Sequence, residues 1–100
     1  MKLLTKADQA LLPALYTQES KGDDAIAYVK FFHPMSHWTW LATEYDPTNK
    51  LFFGLVQGHE EEWGYFSLTE LEETEVYGLG IERDICFKPT PIKLLRKRVN

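Results

Sequence analysis

Residues 28–66 read YVKFFHPMSHWTWLATEYDPTNKLFFGLVQGHEEEWGYF, and they hold eleven of the chain's fourteen aromatic residues, including all three tryptophans. The stretch consists of short apolar runs broken by turn signals. Ala25 to His33 is rich in β-branched and aromatic residues and reads as a strand, with Ala27, Val29 and Phe31 on one face and Tyr28, Lys30 and Phe32 on the other. His33-Pro34-Met35-Ser36-His37 is a turn, because Pro34 has no N–H to give to a central ladder. Trp38 to Tyr45 is the second strand, Asp46-Pro47-Thr48-Asn49 a turn, and Leu51 to Gln57 the third strand. Gly58 to Glu62 is a polar loop and Trp63 to Phe66 a short fourth strand. Strands this close, joined by short turns, form an antiparallel meander.

Helical signals flank the meander. Thr5 is an N-cap with Asp8 three residues on, and Leu4, Ala7, Leu11, Leu12 and Leu15 fall at helical spacing. Pro13 stops that helix near Leu12. Gln18 to Asp24 is a loop. Ser67 and Glu70 spell a capping box, Phe66 and Leu71 a hydrophobic staple, and Gly78 and Gly80 end the helix they start. Ile81 to Phe87 reads as a fifth strand. Thr90-Pro91 opens a last helix striped by Ile92, Leu95 and Val99. The order is α-β-β-β-β-α-β-α. It predicts one α+β domain over residues 1–100, an antiparallel meander sheet of four to five strands with helices packed on one face.

Composition sets the surroundings. The single cysteine, Cys86, cannot close an internal disulfide, which fits a reducing compartment. No run approaches the roughly 20 apolar residues of a membrane span, and the first residues lack a signal-peptide core. The expectation is a cytoplasmic, soluble protein with no membrane partner. The net charge is −4, yet residues 1–92 carry seven basic against fifteen acidic residues, or −8. An acidic body disfavours nucleic acid and can present negative charge to a basic partner, or merely keep the domain soluble.

The candidate chemistry is sparse. His33, His37 and His59 are the only histidines, and the turns that carry them lie at one end of a meander. They are the candidate metal ligands, with a carboxylate from Glu60 or Glu61; the plainer reading is exposed turn histidines that cap nearby backbone. Their spacing matches no standard metal motif, and no cofactor is expected. Trp38, Trp40, Phe52 and Phe53 could stack on bases or sugars, but their neighbours are acidic, and filling a small core is the simpler role. Because both faces of these strands are apolar, helices on one face leave aromatic area for a protein partner or a second copy of the chain. Arg83 shares a face with Ile81 and Ile85, which calls for an ion pair with Glu82 or Glu44. Cys86 reads as a buried, inert thiol, and no catalytic constellation is present.

The segments Lys30-Phe31-Phe32, Trp38-Thr39-Trp40-x-Ala42-Thr43-Glu44, Phe53-Gly54-Leu55-Val56-x-Gly58, Gly64-Tyr65-Phe66-Ser67-Leu68-x-Glu70-Leu71 and Ile81-Glu82-Arg83-Asp84 resemble a family of small bacterial proteins known as domain of unknown function 2958. The likeness runs from Met1 to Ile92. The resemblance implies a setting on conjugative plasmids and integrative elements, near anti-restriction or DNA-processing genes. It brings no reaction, cofactor or catalytic residue.

Together these features predict a non-enzymatic accessory protein of mobile DNA that acts by protein–protein contact, as an acidic inhibitor or modulator of a host defence or DNA-processing protein. Its contact candidates are Glu60, Glu61, Glu62, Glu72, Glu73, Glu75, Trp38 and Trp40. One alternative is a metal-binding protein or enzyme built on the three histidines. The other is a nucleic-acid-binding module that uses Lys93, Arg96, Lys97 and Arg98 of the C-terminal helix.

Overall fold

The computed structural model describes residues 3–96. Thr5 and Asp8 form the reciprocal box that their spacing predicts. Thr5 Oγ1 accepts from the Asp8 N–H at 3.1 Å, and the Asp8 carboxylate accepts from the Thr5 N–H at 3.2 Å. The box starts α1, Lys6–Leu11, and the chain turns extended at Leu12, ahead of Pro13. No residue within α1 is buried; Leu3, Leu4 and Leu12, just outside it, enter the core.

A short 3-10 segment, Glu19–Asp24, leads to β1 (Ile26–Ala27), β2 (Val29–Phe32), β3 (Thr39–Asp46), β4 (Leu51–Gln57) and β5 (Glu61–Ser67). Then come α2 (Leu68–Glu73), β6 (Glu75–Val76), β7 (Leu79–Gly80), β8 (Glu82–Arg83), β9 (Thr90–Pro91) and a 3-10 turn at Ile92–Leu94. The main sheet is five-stranded and antiparallel, ordered β5-β4-β3-β2-β8. It is the predicted α+β meander, with the fifth strand added beside the first.

Register decides what each face buries. Tyr45, Phe52 and Phe66 are neighbours across three strands, as are Phe31, Trp40 and Val56. Phe31 and Phe52, both fully buried, meet edge to face at 5.3 Å. Leu68 and Leu71 of α2, with Leu3, Leu4, Leu12 and Ile81, close this larger cluster. Full burial of one such Leu or Phe side chain contributes about 1.5–3 kcal/mol. The opposite face holds a smaller cluster of Ala27, Leu41, Leu55 and Ile92, with Trp63, Phe87 and Leu95 packed around it. A bulge at Thr43 lies between the two registers of β3, and Thr43 Oγ1 donates to the Phe53 carbonyl at 3.0 Å.

Four local expectations are corrected. The helix begun at Ser67 ends at Glu73 and gives way to the β6–β7 hairpin, although its cap forms, with Ser67 Oγ accepting from the Glu70 N–H at 3.2 Å. Glu70, Glu72 and Glu73 suit a helix start and oppose its continuation, because the dipole repels carboxylates at the C-terminal end. Thr90 and Pro91 do not begin a helix; they pair with Ala27 and Ile26, and a single 3-10 turn follows. Val99 lies outside the described residues. Arg83 pairs with Asp8 at 3.4 Å, not with Glu82 or Glu44. Cys86 is exposed, because β8 stops at Arg83 and the Asp84 carboxylate accepts from the Cys86 N–H at 2.9 Å, turning the chain outward.

Candidate functional site

The site is organised by His33, at the end of β2. Its ring is buried, with Nε2 3.2 Å from the Val76 carbonyl oxygen and 3.0 Å from that of Leu79. Nδ1 lies 3.2 Å from the Met35 nitrogen. A neutral ring protonated at Nε2 satisfies all three contacts: it donates to the two carbonyls and accepts from the Met35 N–H. The imidazole thus fastens the β6–β7 hairpin to the end of the sheet.

That hairpin is a two-residue turn. Val76 pairs with Leu79, and Tyr77 and Gly78 between them have φ of 57° and 77°. Both turn residues are left-handed, the arrangement that matches the twist of a tight hairpin. Gly78 adopts it freely; Tyr77 does so at a cost of about 1–2 kcal/mol. The Tyr77 side chain is 85% exposed.

Beside the hairpin stands an indole stack. Trp38 and Trp40 lie 5.9 Å apart with 27° between their planes, and His59 meets Trp38 edge-on at 5.8 Å. Trp38 also rests on Gly58, where an added Cβ would enter the ring. Trp38 and Trp40 combine with His33, Ser36, Thr74, Val76 and Ile81 to line an open apolar pocket of about 260 Å³.

Carboxylates flank it. Glu62 is paired with Val56, which is paired with Trp40, so one cross-strand row runs from an exposed glutamate to the indoles. On the other side Glu73 and Glu75, both exposed, bracket Thr74 in the pocket wall. A second depression, of about 320 Å³, lies next to it and is lined by Glu72, Glu73, Glu75 and Glu82 with Leu3 and Leu79. Between Lys50 and Arg83 the chain has eight glutamates and neither lysine nor arginine. Two of these carboxylates also serve the fold: Glu72 accepts from the Leu3 N–H at 3.1 Å, and Glu61 from the Gln57 amide at 2.6 Å. Glu60 is exposed in the turn before β5.

The other candidate residues are dispersed. His33 has its ring nitrogens engaged with backbone, His37 is exposed in its turn, and His59 packs against Trp38. Among the described residues no three His, Cys, Asp or Glu side chains are grouped to hold a metal ion. The four-ring platform is divided. Phe52 is buried on the face of the larger cluster, while Phe53 stacks on Trp63 at 5.7 Å on the other. Lys93 pairs with Asp24 at 3.1 Å and Arg96 with Asp23 at 3.4 Å, which ties the C-terminal turn to the 3-10 segment. Lys97 and Arg98 lie outside the described residues. No helix of the described residues is long and apolar enough to cross a membrane.

The hairpin residues Val76, Tyr77 and Leu79 escape sequence reading, although Tyr77-Gly78 between two apolar residues carries the signal of a tight turn.

An α+β domain with an acidic, tryptophan-centred surface at one end of its sheet is the class defined by this geometry. The chain belongs to the family described as Protein of unknown function (DUF2958), whose model matches residues 3–94. No curated protein and no solved structure matches the chain.

Proposed function

We propose that this protein is a non-enzymatic accessory factor that works by docking its acidic, tryptophan-centred surface on a basic protein. The observation that carries the reading is the apolar pocket of Trp38 and Trp40 set between exposed Glu62 on one side and Glu73 and Glu75 on the other. Interfaces place an aromatic anchor at the centre and charge at the rim, where charge steers encounter and selects the partner. Glu72, which lines the adjoining depression with Glu73 and Glu75, extends the same negative field.

The setting follows the family resemblance: the target is a host defence or DNA-processing protein met by mobile DNA. Such a target offers a basic, nucleic-acid-binding cleft, and an acidic surface competes for it. Capture of tagged protein from nuclease-treated host lysate tests this. The expected result is one basic protein recovered in near-equal amount and lost from a Trp38→Ala, Glu73→Gln, Glu75→Gln variant. Recovery of the bait alone would count against the proposal.

A further inference from the structure

The apolar pocket and the acidic depression beside it share two wall residues, Thr74 and Ile81. Their linings differ in chemistry. Each polar side chain in the pocket wall already holds a backbone partner. His33 Nε2 serves the Val76 and Leu79 carbonyls, Thr74 Oγ1 donates to the Glu70 carbonyl at 2.6 Å, and Ser36 Oγ accepts from the Trp38 N–H at 3.2 Å. With those groups engaged, the recess lined by Trp38, Trp40, Val76 and Ile81 favours an apolar guest. Its volume, about 260 Å³, is below the roughly 300–1,000 Å³ of small-molecule sites and suits one side chain.

The depression is the opposite case. Glu72, Glu73, Glu75 and Glu82 line it, and no lysine or arginine does. Glu72 accepts from the Leu3 N–H, whereas Glu73, Glu75 and Glu82 form no ion pair among the described residues. Arg83, next in sequence to Glu82, is paired with Asp8 instead. Carboxylates gathered in one depression repel one another until a cation joins them.

We propose that the two recesses together receive one short segment of the basic partner, with a bulky apolar side chain in the pocket and an arginine or lysine side chain in the depression. This rests on the docking reading above and names its recognition element. Charge selects the occupant. A second copy of the chain, with seven basic against fifteen acidic residues over 1–92, brings like charge to the same place. A segment that carries an apolar and a cationic side chain answers both linings at once. The buried anchor supplies most of the affinity, and the charge beside it steers encounter and selects the partner.

NMR of the backbone amides and indole N–H groups of the full chain, titrated with capped pentapeptides, tests this. The probes are Gly-Phe-Gly-Arg-Gly and the reversed order Gly-Arg-Gly-Phe-Gly, with alanine for phenylalanine and glutamine for arginine as controls. The expected result is that at least one order shifts the Trp38 and Trp40 indole signals together with the Glu73 and Glu75 amides. Either control substitution weakens binding at least about fivefold, and added salt weakens the arginine peptides alone. A Glu73→Gln, Glu75→Gln, Glu82→Gln variant binds the arginine and glutamine peptides equally and still prefers phenylalanine to alanine. No shift with either order would overturn the proposal, as would an alanine or glutamine peptide that binds as tightly as its parent. Indole shifts that follow protein concentration without peptide would give the pocket to a second copy and overturn it too. A basic protein captured from lysate, with no peptide bound at the pocket, would overturn the segment and leave the docking reading standing. Peptide binding with no protein captured would do the reverse.

Discussion

The indole of Trp38 lies flat enough on Gly58 that one added carbon at the glycine would occupy the ring's place. The start of β3 and the end of β4 therefore set the stack jointly: Trp38, just ahead of β3, and Trp40 within it supply the indoles, and Gly58, just past β4, the bare backbone beneath Trp38. Gly58→Ala expels Trp38 from the stack with Trp40. The expected stability loss is about 1–3 kcal/mol, as for other overpacked sites. Tryptophan fluorescence shifts to that of a more exposed indole, and capture of the basic partner weakens. An unchanged emission spectrum would mean that the ring does not depend on Gly58.

Tyr77 separates stability from binding. Asn tolerates the left-handed conformation that Tyr77 adopts at φ 57°. Tyr77→Asn raises unfolding free energy by up to about 1 kcal/mol, measured by denaturant titration. The same change removes the most exposed ring of the hairpin and lowers partner capture. A variant that gains stability and keeps full binding would exclude Tyr77 from the docking surface.

Glu44 is buried at the bulge, where its carboxylate accepts from the Tyr16 N–H at 2.8 Å and the Gln18 N–H at 2.6 Å. Glu44→Gln replaces one of these acceptors by an NH₂ group that faces a donor. The loss is about 1.5–3 kcal/mol, the range for hydrogen bonds to charged groups. Amide exchange at Tyr16 and Gln18 accelerates with it. Unaltered exchange there would show that the loop is held by other contacts.

Stability bends at both ends of the pH scale. Hydrogen bonds from the Asn49 side chain, at 2.8 Å, and the Thr48 N–H, at 2.9 Å, hold the Asp46 carboxyl below its ordinary value of 3.8. Its contribution is present above that value and is lost as pH falls through the lower folded value. The stability gap between Asp46→Asn and wild type is therefore full at neutral pH and closes in acid. Burial, then the charges of Glu72 and Asp46, push the Tyr45 phenol above 10.0. Stability is full below that value and falls as pH climbs past it, because the unfolded chain ionises first. Tyr45→Phe flattens this alkaline limb in thermal unfolding.

Much of the fold was legible because local chemistry and tertiary structure agree. Asp46-Pro47-Thr48-Asn49 turns where its residue types demand it, and β3 and β4 follow from period-two alternation on either side. Ser67 caps α2 as its spacing with Glu70 predicts. The rest depended on pairing between distant segments. Thr90-Pro91 resembles a helix start until Ile26 and Ala27 claim it as a strand. His33 could not be placed inside the molecule before the Val76 and Leu79 carbonyls were brought to it. Of the candidate site, the indoles and glutamates were readable as residue types, but the closing of the indole pocket by Thr74 and Val76, with Glu73 and Glu75 beside it, required α2 to stop early and the hairpin to fold back.

The most direct measurement is the affinity of the captured basic partner for wild type, for Glu72→Gln, Glu73→Gln, Glu75→Gln and for Trp38→Ala, each over a salt series. The account predicts that both variants bind at least about tenfold more weakly, a loss of roughly 1.4 kcal/mol, and that the glutamate variant loses most of its salt dependence while the tryptophan variant keeps it. Equal affinity and equal salt dependence in all three would contradict docking through the acidic, tryptophan-centred surface.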